Sequence, residues 1–536
     1  MNTIIGPSCT LLKPLTRDRY YLFFMYVFAA LLLLFCTPNS PLFPTQDWVD
    51  PNVYMDVGRA LNTGRVLYRD VFDHKGPLFL MIFAVLAPVS KNSLLGLYFL
   101  QTACLGTSLV FLYRTGRLFL SNTASFLICI FFPVFLLTGS IFSDGGGSPE
   151  EILLPCFMGS LYYVAAAFIP AKEGGSAHST LHPFWFHGLF WGIAVLTKLN
   201  LSIFFAIGSA MLLLRLLLKR DLRSFAGSLF RLLGGVLLAF TPCIIYWTAT
   251  GSLQDCWEAY VQFNMRYAAF NASGNSLSKT AAVFMLLFVT NFAGIMCAAL
   301  GLILLQLMKK LPLYAVLTVF LMFVSLLVVT FGTGNAYWYY CIPFVCFAGF
   351  GEIGIVIFAR EAYTKMGAHS KSPAHPYISG TLVITAVAVI TAVIILGNGF
   401  WRISAPFSPE KSGVEETCDV ILATWAQKGA QDKPDILLYH SQENGYYSKL
   451  GTAPQFRYFY RPGIALDLMP EYMTAQESYV IKGLPDYVIC VSGQQNADFG
   501  IDKLNDQYVP IGSFEKVTAK PYYDHGLSYI YLYQKK

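Results

Sequence analysis

The 536-residue sequence predicts a mainly α-helical, polytopic membrane protein with a small α/β domain at its C-terminal end. Three observations lead there. Apolar residues make up 55% of the chain and charged residues only 13%, against roughly 25% charge in soluble domains. Apolar runs of the length needed to cross a bilayer, about 20 residues, succeed one another up to position 400. Beyond that point the runs shorten and charged residues become common.

The first run, Tyr20–Cys36, follows Lys13, Arg17 and Arg19 and has no small-residue cleavage site behind it. It reads as a retained first span with residues 1–19 in the cytoplasm, because positive flanks stay inside. The loop 37–76 is therefore expected outside. Pro77–Ser90, about 14 residues, is too short to cross and reads as an interfacial helix. Asn92–Tyr113 then returns to Arg114 and Arg117.

The same bookkeeping carries the chain onward. Ala124–Ile141, Glu151–Ile169, Pro183–Leu196, Leu199–Leu217 and Phe225–Thr248 alternate across the membrane. The mixed stretch 252–278 reads as a second interfacial helix. Thr280–Leu307, Leu313–Phe331, Trp338–Phe358 and Ile378–Leu396 complete about 11 spans. Lysine and arginine mark nearly every loop assigned to the cytoplasm. The expected division is a cytoplasmic tail at 1–19, a membrane domain at 20–400 and an extracytoplasmic α/β domain at 401–536.

In that last segment Ser412 and Glu415 have capping-box spacing ahead of a helical pattern, Val414, Cys418, Ile421, Leu422 and Trp425, which Gly429 stops. Asp435–Tyr439, Tyr487–Val491 and Tyr529–Tyr533 read as strands. Most of the 12 cysteines sit in apolar runs, where small-residue packing accounts for them. Cys418 and Cys490 are the two placed to pair in an oxidising space. No cysteine spacing suggests zinc, and no basic run with interleaved aromatics suggests nucleic acid.

The chemistry concentrates in Trp48–Leu80. Asp50, Asp56, Asp70 and Asp73 lie there beside Arg59, Arg65, Arg69, His74 and Lys75. Ionisable groups at a bilayer edge mark function, because lipid penalises them unless they face water or a partner. Sugar transfer from a lipid carrier requires such a place: a carboxylate to take the acceptor's proton, cations to receive the departing phosphate, and aromatics along the sugar and prenyl paths. Asp50 offers the base, and His74 with Lys75 the cation, with Arg59 and Arg69 in reserve. A solvated, salt-bridged loop is the plainer alternative.

The pattern Asp50-x-x-x-Tyr54, then Gly64-x-x-x-Tyr68-x-Asp70, then Lys75-x-Pro77-Leu78 resembles the first outer loop of the GT-C membrane glycosyltransferases. It is most similar to bacterial relatives of the protein O-mannosyltransferases and of the lipid A aminoarabinose transferases. The resemblance implies a GT-C-like membrane domain, a polyprenyl-phosphate sugar donor, Asp50 as catalytic base and Lys75 on the donor phosphate. Many members carry Asp-Glu at the first site. Pro51 follows Asp50 here, which leaves Asp56 competing for the role.

Further positions join on weaker grounds. In FSDGGGSPEEILLP, residues 142–155, Asp144 and Glu150 are placed to bind acceptor or a divalent metal, or simply to cap a helix. Lys198 offers a second phosphate contact or a snorkelling lysine. In GTGNAYWYY, residues 332–340, Tyr339 lines the site or belongs to an interfacial belt. Tyr446, Tyr447, Arg457 and Tyr458 touch an acceptor or pack the C-terminal domain onto the membrane domain.

The expected function is inverting transfer of one sugar from a polyprenyl-phosphate donor to an extracytoplasmic glycan, lipid or protein, in a bacterial plasma membrane. The candidate site is Asp50 as base; Lys75, His74, Arg69 and Lys198 on the phosphate; and Tyr54, Asp56, Tyr68, Asp70, Asp144, Glu150 and Tyr339 lining the substrates. No cofactor is required by the sequence, and a divalent metal stays open. The rivals are a polytopic transporter or lipid flippase and an envelope glycan polymerase or ligase using a lipid diphosphate. The nearly charge-free span interiors weigh against a transporter.

Overall fold

The computed structural model describes residues 15–43, 46, 48–138, 146–169, 182–273, 277–332, 337–368, 412–429, 432–501, 504–517 and 527–536. It has the predicted class: long apolar helices followed by a small mixed sheet. Seven described helices are long and apolar enough to cross a membrane. Among them are α1 (Leu15–Cys36), α4 (Leu95–Arg117), α10 (Ser202–Leu218, with the turn before it), α11 (Leu222–Thr250) and α15 (Leu313–Gly332). Three further expected spans coincide with shorter apolar helices at 122–136, 183–197 and 292–307. The expected final span, Ile378–Leu396, and residues 1–14 lie outside the described residues.

Between α1 and α4 the chain forms two short helices, α2 (Val49–Asn62) and α3 (Pro77–Leu86), joined by a partly buried loop over residues 63–76. α2 is amphipathic, and residues 51 to 60 are buried along its length. Pro77 starts α3 at the first-turn position proline favours, and the helix ends after ten residues, too few to cross. Within the stretch 252–278, residues 253–273 are helical but irregular, with a π-helical turn at Trp257–Gln262 leading into a helix over Phe263–Ser273.

The C-terminal unit is a four-stranded sheet in the order β1-β2-β4-β3. β1 (Ile436–Tyr439) runs parallel to β2 (Tyr487–Ser492), while β4 (Leu527–Lys535) pairs antiparallel with both β2 and β3 (Tyr508–Val517). Helix Gly413–Gln427 begins with the expected capping box, Ser412 and Glu415 bonding each other's backbone N–H. Gly429 ends it at φ 65°. β3 carries no clean alternation and was not legible as a strand. Cys418 and Cys490, the two cysteines placed to pair in an oxidising space, are both buried free thiols. Cys490 sits mid-strand in β2, and Cys418 faces the Tyr446 carbonyl instead.

One hydrophobic core joins this unit to the first loop: Val53, Tyr54 and Phe79 belong to the same packed cluster as Tyr446, Tyr447 and Phe459. A second core binds the long helices to one another. The C-terminal unit thus sits on the loop that carries the candidate chemistry.

Candidate active site

Asp50 lies in the first turn of α2, half-buried, and Tyr54 stands one helical turn further on the same face. The Tyr54 hydroxyl donates to Asp50 Oδ2 at 3.1 Å. The Lys75 ammonium lies 5.7 Å from the centroid of the same ring. One buried tyrosine therefore touches both the acid and the base of the expected motif.

The backbone around Lys75 is fixed from several sides. Its N–H donates to Asp73 Oδ1 at 2.7 Å, and its carbonyl accepts from the Tyr68 hydroxyl at 2.7 Å. Tyr68 is buried with φ at 68°, a left-handed conformation costly for a bulky residue. A hydrogen bond from its N–H to the Val71 carbonyl, at 2.9 Å, closes that turn. The next residue, Gly76, donates its N–H to the Thr197 carbonyl at 3.1 Å. A Cβ at position 76 would stand 2.1 Å from the Leu196 carbonyl oxygen, so only glycine allows this approach.

That contact brings the 182–197 helix end, and Lys198 after it, to the same site. Lys198 forms an ion pair with Glu150 and lies 4.0 Å over the Tyr340 ring and 5.7 Å from that of Tyr339. Burial pushes the Lys198 ammonium below its ordinary range, while Glu150 opposes the shift. Tyr339 in turn contacts Trp48, just ahead of α2, with ring centroids 5.6 Å apart. Asp50 is near enough to Lys198, Tyr339 and Asp73 to bias their ionisation.

His74 has a different electrical state from the cation expected of it. Burial, then the charges of Lys75 and Lys198, hold its imidazole well below the ordinary histidine range. It is neutral, with Nε2 accepting from the Lys75 ammonium at 3.0 Å. Its Nδ1 is buried with no hydrogen-bond partner among the described residues. The rings of Phe263 and Tyr267 enclose it, and Asn264 donates to its carbonyl at 2.7 Å.

Three other expected site residues are turned elsewhere. Arg69 is spread over the end of α11, donating to the Thr250 and Gly251 carbonyls and pairing with Asp255 at 2.8 Å. Its guanidinium fork is filled there and does not join Lys75. Asp56 is fully buried against Arg59, whose two terminal nitrogens also donate to Ser448, Ser90 and Ser93. Burial first, and Glu443 second, hold the Asp56 carboxyl well above its ordinary range. It ties the loop to the C-terminal unit and is sealed from solvent. Asp70 accepts from the Val66 N–H at 2.8 Å, closing the turn before Tyr68. Asp144 lies outside the described residues.

Asp73, given no role from the sequence, and Tyr460, not singled out there, meet beside this site. Asp73 is buried, with Oδ2 accepting from the Tyr460 hydroxyl at 3.4 Å, and burial raises its carboxyl above the ordinary range. Tyr446, Tyr447 and Tyr458 are buried in packing rather than presented to an acceptor. Among the described residues no three His, Cys, Asp or Glu side chains converge as metal ligands.

Comparison with solved structures follows this geometry. The crystal structure of ArnT from Cupriavidus metallidurans bound to undecaprenyl phosphate superposes with a TM-score of 0.55 at 12% identity, covering 96% of this chain and 98% of that one. The chain has the ArnT fold. The apo form of ArnT gives a TM-score of 0.56 over the same shares of both chains. The oligosaccharyltransferase AglB from Archaeoglobus fulgidus, in complex with an inhibitory peptide and a dolichol-phosphate, gives 0.48 at 12% identity, over 88% of this chain and 69% of that one. No family model and no curated protein sequence matches. The likeness to ArnT agrees in architecture with the resemblance that the loop motifs carry.

Proposed function

We propose that this chain is an inverting glycosyltransferase that moves one sugar from a polyprenyl-phosphate donor to an acceptor at the extracytoplasmic membrane face. The observation that carries the reading is the joint contact of Tyr54 with Asp50 and Lys75. It puts a half-buried carboxylate and an ammonium against the same tyrosine. The fold shared with ArnT, whose structure holds undecaprenyl phosphate, supports the same donor class.

The chemistry follows from the charges. The acceptor hydroxyl oxygen attacks the anomeric carbon as Asp50 takes its proton. The bond from that carbon to the phosphate oxygen breaks, and the prenyl phosphate leaves with the electron pair. Lys75 neutralises the growing phosphate charge, worth most in a site shielded from water. Neutral His74 keeps one donor, its Nδ1–H, for the same phosphate. Lys75 makes no ion pair among the described residues, whereas Lys198 is engaged by Glu150. One lysine with no ion pair among the described residues suits a monophosphate better than a diphosphate. A divalent metal, if bound, would add positive charge at the phosphate.

Purified protein in proteoliposomes with a radiolabelled prenyl-phosphate sugar tests the reading. Transfer of label to an acceptor is expected. Net translocation of the lipid with no transfer would install the flippase reading instead.

A further inference from the structure

We infer that the C-terminal unit supplies a positioning residue to the active site, Tyr460, whose hydroxyl holds Asp73 in the orientation that fixes Lys75 for the donor phosphate. This rests on the donor reading above and deepens it.

The contacts form one short chain. Tyr460 donates to Asp73 Oδ2 at 3.4 Å, and Asp73 Oδ1 accepts the Lys75 N–H at 2.7 Å. Beside it, the Phe72 N–H donates to the Arg457 carbonyl at 3.0 Å, and the Phe72 and Tyr458 rings meet at 5.5 Å. Residues 457–460 therefore lie as a strap along 72–75. The strap is held in turn by Leu438, whose N–H donates to the Phe459 carbonyl, and by Gln476, whose amide donates to the Tyr458 carbonyl at 2.9 Å.

Among the described residues the buried Asp73 carboxylate accepts from the Lys75 N–H and the Tyr460 hydroxyl, with the Lys75 charge nearby, so each bond to it matters. Removing the hydroxyl leaves Asp73 with one bond, favours its protonated form and loosens the Lys75 backbone. Tyr460 is also near Asp50, so the same residue borders the base and the anchor of the cation. The charged and titratable groups facing Asp73 are Lys75, Asp50, Tyr460, Tyr54 and Tyr68. Removing a bond to the charged form of Asp73 raises its pKa, so the defect should grow as pH falls.

The test is undecaprenyl phosphate binding to the full chain in nanodiscs at pH 6 and pH 8. The proteins are wild type, Tyr460→Phe, Lys75→Ala and Tyr472→Phe. Tyr472→Phe removes a bond to Gln476, 2.9 Å in the native protein, and so weakens the strap without touching Asp73. Tyr460→Phe should bind about tenfold more weakly, the effect of one hydrogen bond to a charged group, with the larger deficit at pH 6. Tyr472→Phe should bind as wild type does. Wild-type binding by Tyr460→Phe, or an equal, pH-independent loss in both tyrosine variants, overturns the positioning role. No binding by wild type, or undiminished binding by Lys75→Ala, removes the donor reading itself and the role of Tyr460 with it.

Discussion

The Lys75 ammonium stands 5.7 Å from the centroid of the Tyr54 ring. Through the hydroxyl of that ring, donated to Asp50 at 3.1 Å, the two charged residues of the first loop share one rigid partner although 25 positions separate them in sequence. The proposed division of labour, base on one side and phosphate contact on the other, makes distinct demands on distinct residues.

Lys75→Ala removes the ammonium. Charge-assisted bonds to phosphate contribute about 1.5–3 kcal/mol each, so affinity for undecaprenyl phosphate should fall roughly 10- to 150-fold by titration in nanodiscs. The acceptor KM should stay near its wild-type value.

Gly76→Ala places a methyl group 2.1 Å from the Leu196 carbonyl oxygen. Backbone on one side and Pro77 on the other leave no flexible neighbour to yield. Overpacking of this kind costs about 1–3 kcal/mol. The variant should melt earlier and also lose donor affinity, since the shift separates Lys75 from Lys198.

Arg69→Ala tests a negative. The Arg69–Asp255 pair is substantially exposed, 43% and 27% at the two side chains, and exposed pairs contribute about 0–1 kcal/mol. Donor affinity and turnover should change less than about twofold. A loss comparable with that of Lys75→Ala would return Arg69 to the phosphate site.

Asp56 and Glu443 meet in the buried seam between loop and C-terminal unit, with Arg59 beside them. Burial raises both carboxyls, that of Glu443 from 4.5 to about 7. The folded protein then holds a proton that the unfolded chain has released, so the stabilisation is fully present below about pH 4.5. It is lost as pH climbs through about 7. The melting temperature should fall between pH 5 and pH 8, and Glu443→Gln, fixed in the uncharged form, should flatten that fall.

How much of this was legible in the sequence depends on how local each cause is. Span positions follow from apolar run length, and the pairing of Asp50 with Tyr54 follows from helical spacing. Lys75, set before Gly76 and Pro77 at a helix start, was legible for the same reason. The neutrality of His74 was not, because it arises from burial under Phe263 and Tyr267 on a distant segment. Arg69 was misassigned since composition does not show which carbonyls a guanidinium reaches. Asp56 looked like a rival base until its burial against Arg59 and Glu443 was visible. Tyr460 lies 387 positions from Asp73. Its one sequence signal was membership in the aromatic run 456–460, which packing explains equally well.

The central claim is that Asp50 is the proton acceptor in sugar transfer, and Asp50→Asn addresses it most directly. The amide keeps the size of the side chain and an oxygen to accept from Tyr54, but it cannot take a proton. Transfer of radiolabelled sugar from a prenyl-phosphate donor in proteoliposomes should fall about 100- to 10,000-fold, the range typical of a lost general base, while undecaprenyl phosphate still binds. Transfer at the wild-type rate by Asp50→Asn would contradict the account.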